Sequence, residues 1–224
     1  MKKIPEGQSA RQFRKKITLA VNIRYLLFLP EGYYDSGEKY PLILFLHGAG
    51  ERGHNLRLVK KYGPPKIVQA QKDFPFMVVS PQCHNDESWS IEVLDALLNQ
   101  ILEEYRADED RICITGLSMG GFATWELALM YPNRFAAIAP ICGGGNPRKA
   151  CRIKHLPIWA FHGAKDQVVP LKKSEQMVNA LKACGAKKVK LTVYPEAGHD
   201  SWTAAYNNPQ LFKWFLKQHR KKQS

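Results

Sequence analysis

The stretch Arg111-Ile-Cys-Ile-Thr-Gly-Leu-Ser-Met-Gly-Gly-Phe-Ala-Thr-Trp125 contains a Gly-x-Ser-x-Gly run centred on Ser118. An apolar run of strand length precedes the serine, and an apolar run with helix-forming residues follows it. Glycines two positions before and two positions after the serine leave room for a sharp turn. We therefore predict a strand, a tight turn and a helix, with the Ser118 hydroxyl exposed at the turn.

Further apolar runs of strand length recur along the chain, bounded by Gly, Pro and Asp. Including the run before Ser118, they are Ile17–Val21, Ile23–Leu29, Leu42–Leu46, Phe76–Ser80, Arg111–Thr115, Ala136–Ile141, Ile158–Phe161 and Val189–Tyr194. Apolar residues at helical spacing mark additional segments, namely Ile91–Tyr105, Met177–Cys184 and Leu211–Phe215. This alternation predicts an α/β fold with a mostly parallel central sheet, helices on both faces and an antiparallel pair formed by the first two strands.

The length of 224 residues suits one domain covering residues 1–224, and we expect flexible ends at residues 1–10 and 218–224. Between the predicted elements, only the region from Gly143 to His155 resembles an insertion. The sequence therefore leaves no length for a large lid.

The chain carries 33 Lys and Arg against 20 Asp and Glu, which gives a formal charge of +13. Part of this charge lies in the clusters Arg11–Lys16 and Lys217–Lys222. No helix-turn-helix, zinc-finger or RNP-like pattern accompanies the clusters, so we expect a solvated basic face and no nucleic-acid partner.

The N-terminal segment has basic residues but lacks the apolar run of a signal peptide. No segment approaches the ~18 apolar residues of a membrane span. We expect a soluble protein that does not act at a membrane. The sequence leaves open whether the protein is cytoplasmic or is secreted with its signal peptide already removed.

The five cysteines are scattered and show no Cys-x-x-Cys spacing. Cys113 lies inside an apolar run, where we expect a small core residue. Cys142 and Cys151 flank a glycine-rich loop, and the sequence leaves open whether they form a disulfide. No ligand spacing for a metal is evident.

A serine hydroxyl is a weak nucleophile, so a serine hydrolase needs a base beside it and a carboxylate that orients the base. In a parallel sheet such groups gather at the carboxyl ends of the strands. Asp166 follows the Ile158–Phe161 run, and His199 follows the Val189–Tyr194 run. We therefore predict Ser118 as nucleophile, Asp166 as acid and His199 as base, in the chain order typical of α/β-hydrolases.

Other residues are candidates for the same roles. Asp200 and Glu196 carry carboxylates, but both are too near His199 in sequence for that loop to aim them easily at its ring. His162 and His47 are alternative bases. His162 lies in the turn that holds the predicted acid, and His47 belongs to a loop with a different predicted role.

That loop is the glycine-rich run His47-Gly-Ala-Gly-Glu-Arg-Gly53, which follows a predicted strand. Backbone N–H groups from such a loop and from the residue after the nucleophile stabilise a tetrahedral oxyanion by about 3 kcal/mol per donor. We predict Ala49 and Met119 as the donors, with Gly48 or Gly50 as alternatives to Ala49. His47, the first residue of this loop, is expected to stabilise the loop by hydrogen bonds. A plain glycine-rich turn is the alternative interpretation, and the loop lacks the Gly-Lys-Ser/Thr ending of a P-loop.

Two tryptophans are candidates for the substrate pocket. Trp89 lies in the polar loop after the Phe76–Ser80 run, and Trp202 lies three residues beyond His199. Both positions are compatible with the mouth of the site. For each tryptophan, a packing role in the core or at the surface is the alternative.

The chain resembles serine esterases of the α/β-hydrolase superfamily over about Tyr25 to Leu216. It is similar to feruloyl esterases, dienelactone-hydrolase-like proteins and polyhydroxybutyrate-depolymerase-like esterases, and most similar to their single-domain "predicted peptidase/esterase" branch. The motifs that carry the resemblance are His47-Gly-Ala-Gly-Glu-Arg-Gly53, Ser80-Pro-Gln-Cys83, Gly116-Leu-Ser-Met-Gly-Gly-Phe-Ala-Thr-Trp125, Phe161-His-Gly-Ala-Lys-Asp166 and Gly198-His-Asp-Ser-Trp202. The resemblance implies the same assignment of nucleophile, acid and base.

From these patterns we expect a carboxylic-ester hydrolase that forms an acyl-enzyme on its serine, with no metal and no cofactor. The expected substrates are short-acyl or aryl esters, either small molecules or esters linked to a polysaccharide. A feruloyl or acetyl-xylan esterase is the first alternative. A serine peptidase and a polyanion-binding protein on a hydrolase fold are further alternatives. The oligomeric state and the physiological ester are left open.

Overall fold

The computed structural model describes residues 18, 20–35 and 37–220. The strands are β1 (Arg24–Phe28), β2 (Tyr40–Leu46), β3 (Met77–Gln82), β4 (Ala107–Leu117), β5 (Ala137–Ile141), β6 (Ile158–Gly163) and β7 (Val189–Tyr194). The α-helices are α1 (Gly63–Ile67), α2 (Ile91–Glu104), α3 (Met119–Met130), α4 (Lys172–Ala183), α5 (Trp202–Tyr206) and α6 (Pro209–Leu216). Short 3₁₀ helices span Ala49–Glu51, Leu58–Lys61 and Pro147–Ile153.

The seven described strands form one sheet in the order β1-β3-β2-β4-β5-β6-β7. β1 pairs with β3 in antiparallel fashion, and every other neighbouring pair is parallel. The predicted fold class is therefore confirmed. The antiparallel partner of β1 differs from the prediction, because β1 pairs with β3 and not with a strand at Ile17–Val21. Within that predicted strand, Ile17 and Leu19 lie outside the described residues, and Val21 is not in a strand.

Apolar side chains cover both faces of the sheet, as the continuously apolar strands predicted. On one face, Leu94 of α2, Trp125 of α3 and Leu181 of α4 are buried in one core cluster. On the other face, Tyr206 of α5 and Phe215 of α6 are buried in a second cluster. Each fully buried side chain of this size contributes roughly 1.5–3 kcal/mol, so the two clusters hold the sheet edge rigidly in place.

The register of the parallel strands brings their carboxyl ends to one edge of the sheet. Leu46 of β2 lies opposite Gly116 of β4, and Ile141 of β5 lies opposite Phe161 of β6. The loops that follow β2, β4, β5, β6 and β7 therefore begin side by side along this edge. These loops carry the residues that the sequence marked for chemistry.

The disulfide in the structure joins Cys151 to Cys184, whereas Cys142 is a free, buried thiol. A Cys142–Cys151 pairing, which the sequence left open, is thereby excluded. Cys151 lies in the 3₁₀ helix Pro147–Ile153, and Cys184 is the C-cap of α4. The disulfide thus ties the insertion-like region after β5 to the helix that follows β6. Cys113 is buried in the core as expected.

The ends of the chain are only partly described. Residues 1–10 and the basic cluster Arg11–Lys16 lie outside the described residues, as do residues 221–224. Just before the C-terminal gap, Arg220 pairs with Asp110 of β4, its Nη2 lying 2.9 Å from Oδ1. No helix within the described ranges is both long and apolar enough to cross a membrane.

Candidate active site

Ser118 lies between the last residue of β4 and the first residue of α3, at φ 51° and ψ −115°. Few side-chain-bearing residues adopt this left-handed φ, and such strain concentrates at functional sites. The carbonyl of Leu46 at the end of β2 approaches the turn so closely that a Cβ on Gly120 would run into it, and a Cβ on Gly116 would lie 2.7 Å from it. The glycines predicted to permit the turn are therefore required by this contact.

The structure brings Ser118, His199 and Asp166 together through hydrogen bonds. Nε2 of His199 lies 2.9 Å from Oγ of Ser118, and Nδ1 of His199 lies 2.8 Å from Oδ2 of Asp166. Because a carboxylate only accepts, Nδ1 donates to Asp166, and the neutral ring then offers its Nε2 lone pair to the serine. This tautomer is the one that can take a proton from the hydroxyl.

The Asp166 carboxylate is buried but well supplied with donors. Its Oδ1 accepts the backbone N–H groups of Val168 and Val169, each at 2.9 Å. Burial alone would raise the pKa of Asp166, but the hydrogen bonds from His199 and from these amides outweigh it and lower the pKa. The carboxylate therefore stays ionised next to the imidazole.

The alternative carboxylates have other partners. Asp200 accepts both the backbone N–H and the hydroxyl of Thr203 at 2.9 Å, which anchors the start of α5. Glu196 forms an exposed ion pair with Lys165. Neither group contacts His199 through a described hydrogen bond, which agrees with the sequence argument against them.

The glycine-rich loop after β2 leads past the Ser118 turn. The N–H of Gly48 donates to Oε2 of Glu51 at 3.1 Å, so this amide is already occupied. Ala49 is the first residue of the 3₁₀ helix Ala49–Glu51, and Met119 is the first residue of α3. First-turn N–H groups have no acceptor within their own helix, so the amides of Ala49 and Met119 are suited to bind an oxyanion.

His47 braces this loop, as expected. Its Nδ1 donates to the Gly48 carbonyl at 2.6 Å, and its Nε2 accepts the Cys83 N–H at 3.0 Å. Burial lowers the pKa of His47 to about 4, and the nearby Arg52 guanidinium acts in the same direction. A proton on Nε2 would also face the Cys83 N–H. The ring therefore stays neutral and does not supply the base.

Sequence reasoning missed a second support of the loop. The side-chain amide of Gln82 donates to the carbonyls of Glu51 at 2.8 Å and Asn55 at 2.9 Å. Gln82 lies in the Ser80-Pro-Gln-Cys83 motif, which carried the family resemblance but had no assigned role. The available signal was a side-chain amide two residues beyond the predicted Phe76–Ser80 strand.

The two tryptophans lie in different environments. Trp89 is buried, packs on the His47 ring at 4.7 Å between centroids and donates its indole N–H to the His47 carbonyl at 3.2 Å. These contacts favour the packing alternative for Trp89. Trp202 is half-buried and contacts the His199 ring edge-on at 5.2 Å and the Tyr62 ring at 5.6 Å. Its substrate-binding role stays a prediction.

A cavity of about 510 Å³ lies along α3, beginning at Phe122 one helical turn after Ser118. Its opposite wall is formed by Gly144–Pro147 and by the side chains of Lys149 and Arg152. The sequence did not mark this cavity, since its walls come from segments whose contact depends on the fold.

Among the described residues, Cys142, Asp166 and His199 are the group of potential metal ligands in close proximity, with ligand atoms within 4.8 Å of one another. Burial raises the pKa of the Cys142 thiol to about 12, so the thiolate that binds metals is disfavoured. The carboxylate and the imidazole already bond to each other. This donor set favours proton transfer over metal binding.

Comparison with known proteins identifies the family. A phospholipase/carboxylesterase family model matches residues 35–212, which is more than half of the chain. The chain belongs to this family. Within the family's fold, a crystal structure of a thermostable esterase superposes with a TM-score of 0.77 at 37% identity and covers 89% of this chain and 60% of that chain.

Two curated relatives have lower coverage. A probable feruloyl esterase C of Aspergillus terreus is 27% identical over 69% of this chain and 59% of its own length. A putative carboxymethylenebutenolidase of Escherichia coli K12 is 35% identical over 41% of this chain and 37% of its own length. The chain thus spans less than two thirds of the length of each relative.

We predict that the buried neutral His47 makes the fold acid-sensitive. An unfolded histidine takes up a proton near its ordinary pKa of about 6.5, whereas folded His47 does so only at about 4. The unfolded state therefore binds more protons between these values, and stability falls as the pH is lowered through this window by up to about 3 kcal/mol.

Urea unfolding at about pH 7 and about pH 4.5 checks this prediction in the wild type and in His47→Gln. The wild type should lose about 2–3 kcal/mol more than the variant. His155→Gln, which replaces an exposed histidine, is the control. Equal losses in the wild type and in His47→Gln would contradict the assignment.

Proposed function

We propose that this protein hydrolyses carboxylic esters with Ser118 as nucleophile, His199 as base and Asp166 as acid. The observation that carries the proposal is the continuous hydrogen-bond chain from the Ser118 hydroxyl through His199 to a buried, ionised Asp166. Membership of the phospholipase/carboxylesterase family and the names of the esterase relatives support it.

In this mechanism, the Ser118 oxygen attacks the ester carbonyl carbon while His199 Nε2 takes the hydroxyl proton. The N–H groups of Ala49 and Met119 stabilise the negative carbonyl oxygen of the tetrahedral intermediate. His199 then gives its proton to the leaving alcohol, and an acyl-enzyme remains on Ser118. A water molecule repeats the sequence and releases the acid. Asp166 stabilises the imidazolium that forms in each step.

We propose short-acyl or aryl esters as substrates. The half-buried Trp202 beside His199 offers an apolar surface for the substrate next to the reacting groups. The name of the feruloyl esterase relative supports a feruloyl ester as the alternative substrate. Hydrolysis of methyl ferulate compared with nitrophenyl acetate distinguishes the two.

Ser118→Ala should abolish ester hydrolysis without loss of the fold, because it removes only the attacking oxygen. Nitrophenyl-ester turnover should fall by many orders of magnitude, and a residual activity above about a tenth would overturn the nucleophile assignment. Thermal unfolding verifies the fold. Ser88→Ala, at an exposed serine after β3, is the matched control and should retain activity.

Asp166→Asn should reduce kcat far more than Asp200→Asn or Glu196→Gln. Only Asp166 accepts a hydrogen bond from His199, and an amide at this position favours the wrong imidazole tautomer, a change that costs roughly 10⁴-fold in a comparable triad. The Asp200 and Glu196 variants should stay within about fivefold of the wild type, since neither side chain contacts the reacting groups. Similar losses in all three variants would refute the assignment of the acid.

Hydrolysis should be fastest for acyl chains of about two to six carbons, because without a large lid over Ser118 we expect few methylenes to be buried, each contributing roughly 0.8 kcal/mol. A series of nitrophenyl esters of increasing chain length measures this preference through kcat/KM. A preference for palmitoyl esters, interfacial activation or peptide cleavage at comparable rates would rule out the short-acyl proposal.

A further inference from the structure

A second histidine, His162, lies directly behind the candidate acid. It belongs to β6, is fully buried and does not contact Ser118 through any described hydrogen bond. Its Nε2 lies 2.8 Å from the carbonyl oxygen of Val169 and 3.2 Å from Oδ2 of Asp166. Both partners only accept hydrogen bonds, so Nε2 carries a proton, which it donates to the Val169 carbonyl while its N–H edge also lies against Oδ2 of Asp166.

The Asp166 carboxylate is consequently held at both oxygens. Oδ1 accepts two backbone amides, and Oδ2 accepts the N–H of His199 and also lies 3.2 Å from Nε2 of His162. The protonated Nε2 of His162 therefore faces the oxygen on which the orientation of His199 depends. Val169 joins the same arrangement twice, because its amide contacts Oδ1 and its carbonyl contacts His162.

The other ring nitrogen of His162 connects the acid to the nucleophile side of the site. The buried Ser174 hydroxyl lies between Nδ1, at 2.8 Å, and the Gly143 carbonyl, at 2.9 Å, and its single proton serves one of these two acceptors at a time. Gly143 packs against the first turn of α3 so tightly that a Cβ on it would lie 2.5 Å from Gly121 and 2.7 Å from the amide of Phe122. A shift of Gly143 would therefore displace the turn that carries Ser118.

We propose that His162 is a positioning residue that holds Asp166 in register with His199 and, through Ser174, holds the loop after β5 against the Ser118 turn. The inference rests on the proposed role of Asp166 as the acid. It assigns His162 no direct contact with substrate.

Two variants separate the contacts of His162. His162→Gln places an amide near the position of Nε2 and keeps a donor for Asp166. His162→Asn places its amide near the position of Nδ1, keeps a partner for Ser174 and lacks the donor for Asp166. Both substitutions replace the imidazole ring with a side-chain amide at the same buried site, so they disturb similar packing. Ser174→Ala removes the hydroxyl that contacts both Nδ1 and the Gly143 carbonyl, and it leaves the contacts of Nε2 in place.

We expect His162→Asn to lower kcat by about tenfold to hundredfold with KM nearly unchanged, the range found when outer-shell partners of functional histidines are removed. His162→Gln should stay within about fivefold of the wild-type kcat. Ser174→Ala should give an intermediate loss. The low-field proton NMR signal of the His199–Asp166 hydrogen bond should broaden or disappear in His162→Asn and persist in His162→Gln.

Thermal unfolding and the stoichiometry of complete labelling by a fluorophosphonate verify that each variant is folded with an intact Ser118. Equal losses of kcat in the Asn and Gln variants, losses that simply follow the melting temperature, or an unchanged NMR signal in His162→Asn would overturn the proposal. Failure of the ester-hydrolase proposal would show separately as full activity in Ser118→Ala. The NMR comparison tests the role of His162 in either case.

Discussion

The site depends on one close approach, between the end of β2 and the Ser118 turn. The Leu46 carbonyl occupies space that a side chain at Gly116 or Gly120 would need. This approach brings the loop after β2 next to the first turn of α3. It also forces Ser118 into a left-handed conformation that presents its hydroxyl to His199. Rigid packing of the sheet on both faces offsets the strain of that conformation.

Hydrogen bonds stabilise the negative charge of Asp166. The carboxylate is buried, yet two backbone amides and the His199 N–H donate to it, and Nε2 of His162 lies 3.2 Å from it. Burial and hydrogen bonding act on its pKa in opposite directions, and hydrogen bonding prevails. The opposite balance holds at His47, where burial and a backbone donor keep the ring neutral. The two buried groups thus carry fixed and different charges around neutral pH.

Much of this arrangement was predictable, because it follows from local patterns. Continuous apolar runs identified the covered strands, and the residues after them identified Ser118, Asp166 and His199 as neighbours at one sheet edge. The partner of Cys151 was not predictable, since the spacing of cysteines carries no information on which loops meet in space. The pairing of β1 was missed for a similar reason. Adjacent strands in sequence favour a hairpin, but β1 pairs with β3 from Arg24 opposite Gln82 to Phe28 opposite Val78.

The sequence by itself determined the order of elements and the chemical types placed at the carboxyl ends of the strands, because hydrophobic periodicity and turn residues act over short stretches of chain. Only the tertiary structure decided which of several histidines and carboxylates face one another. His47, His162 and His199 each follow or end an apolar strand, yet one braces a loop, one contacts the back of Asp166 and one reaches Ser118. These hydrogen bonds form only if segments far apart in sequence are placed to within a few tenths of an ångström. The packing of the whole sheet sets those positions.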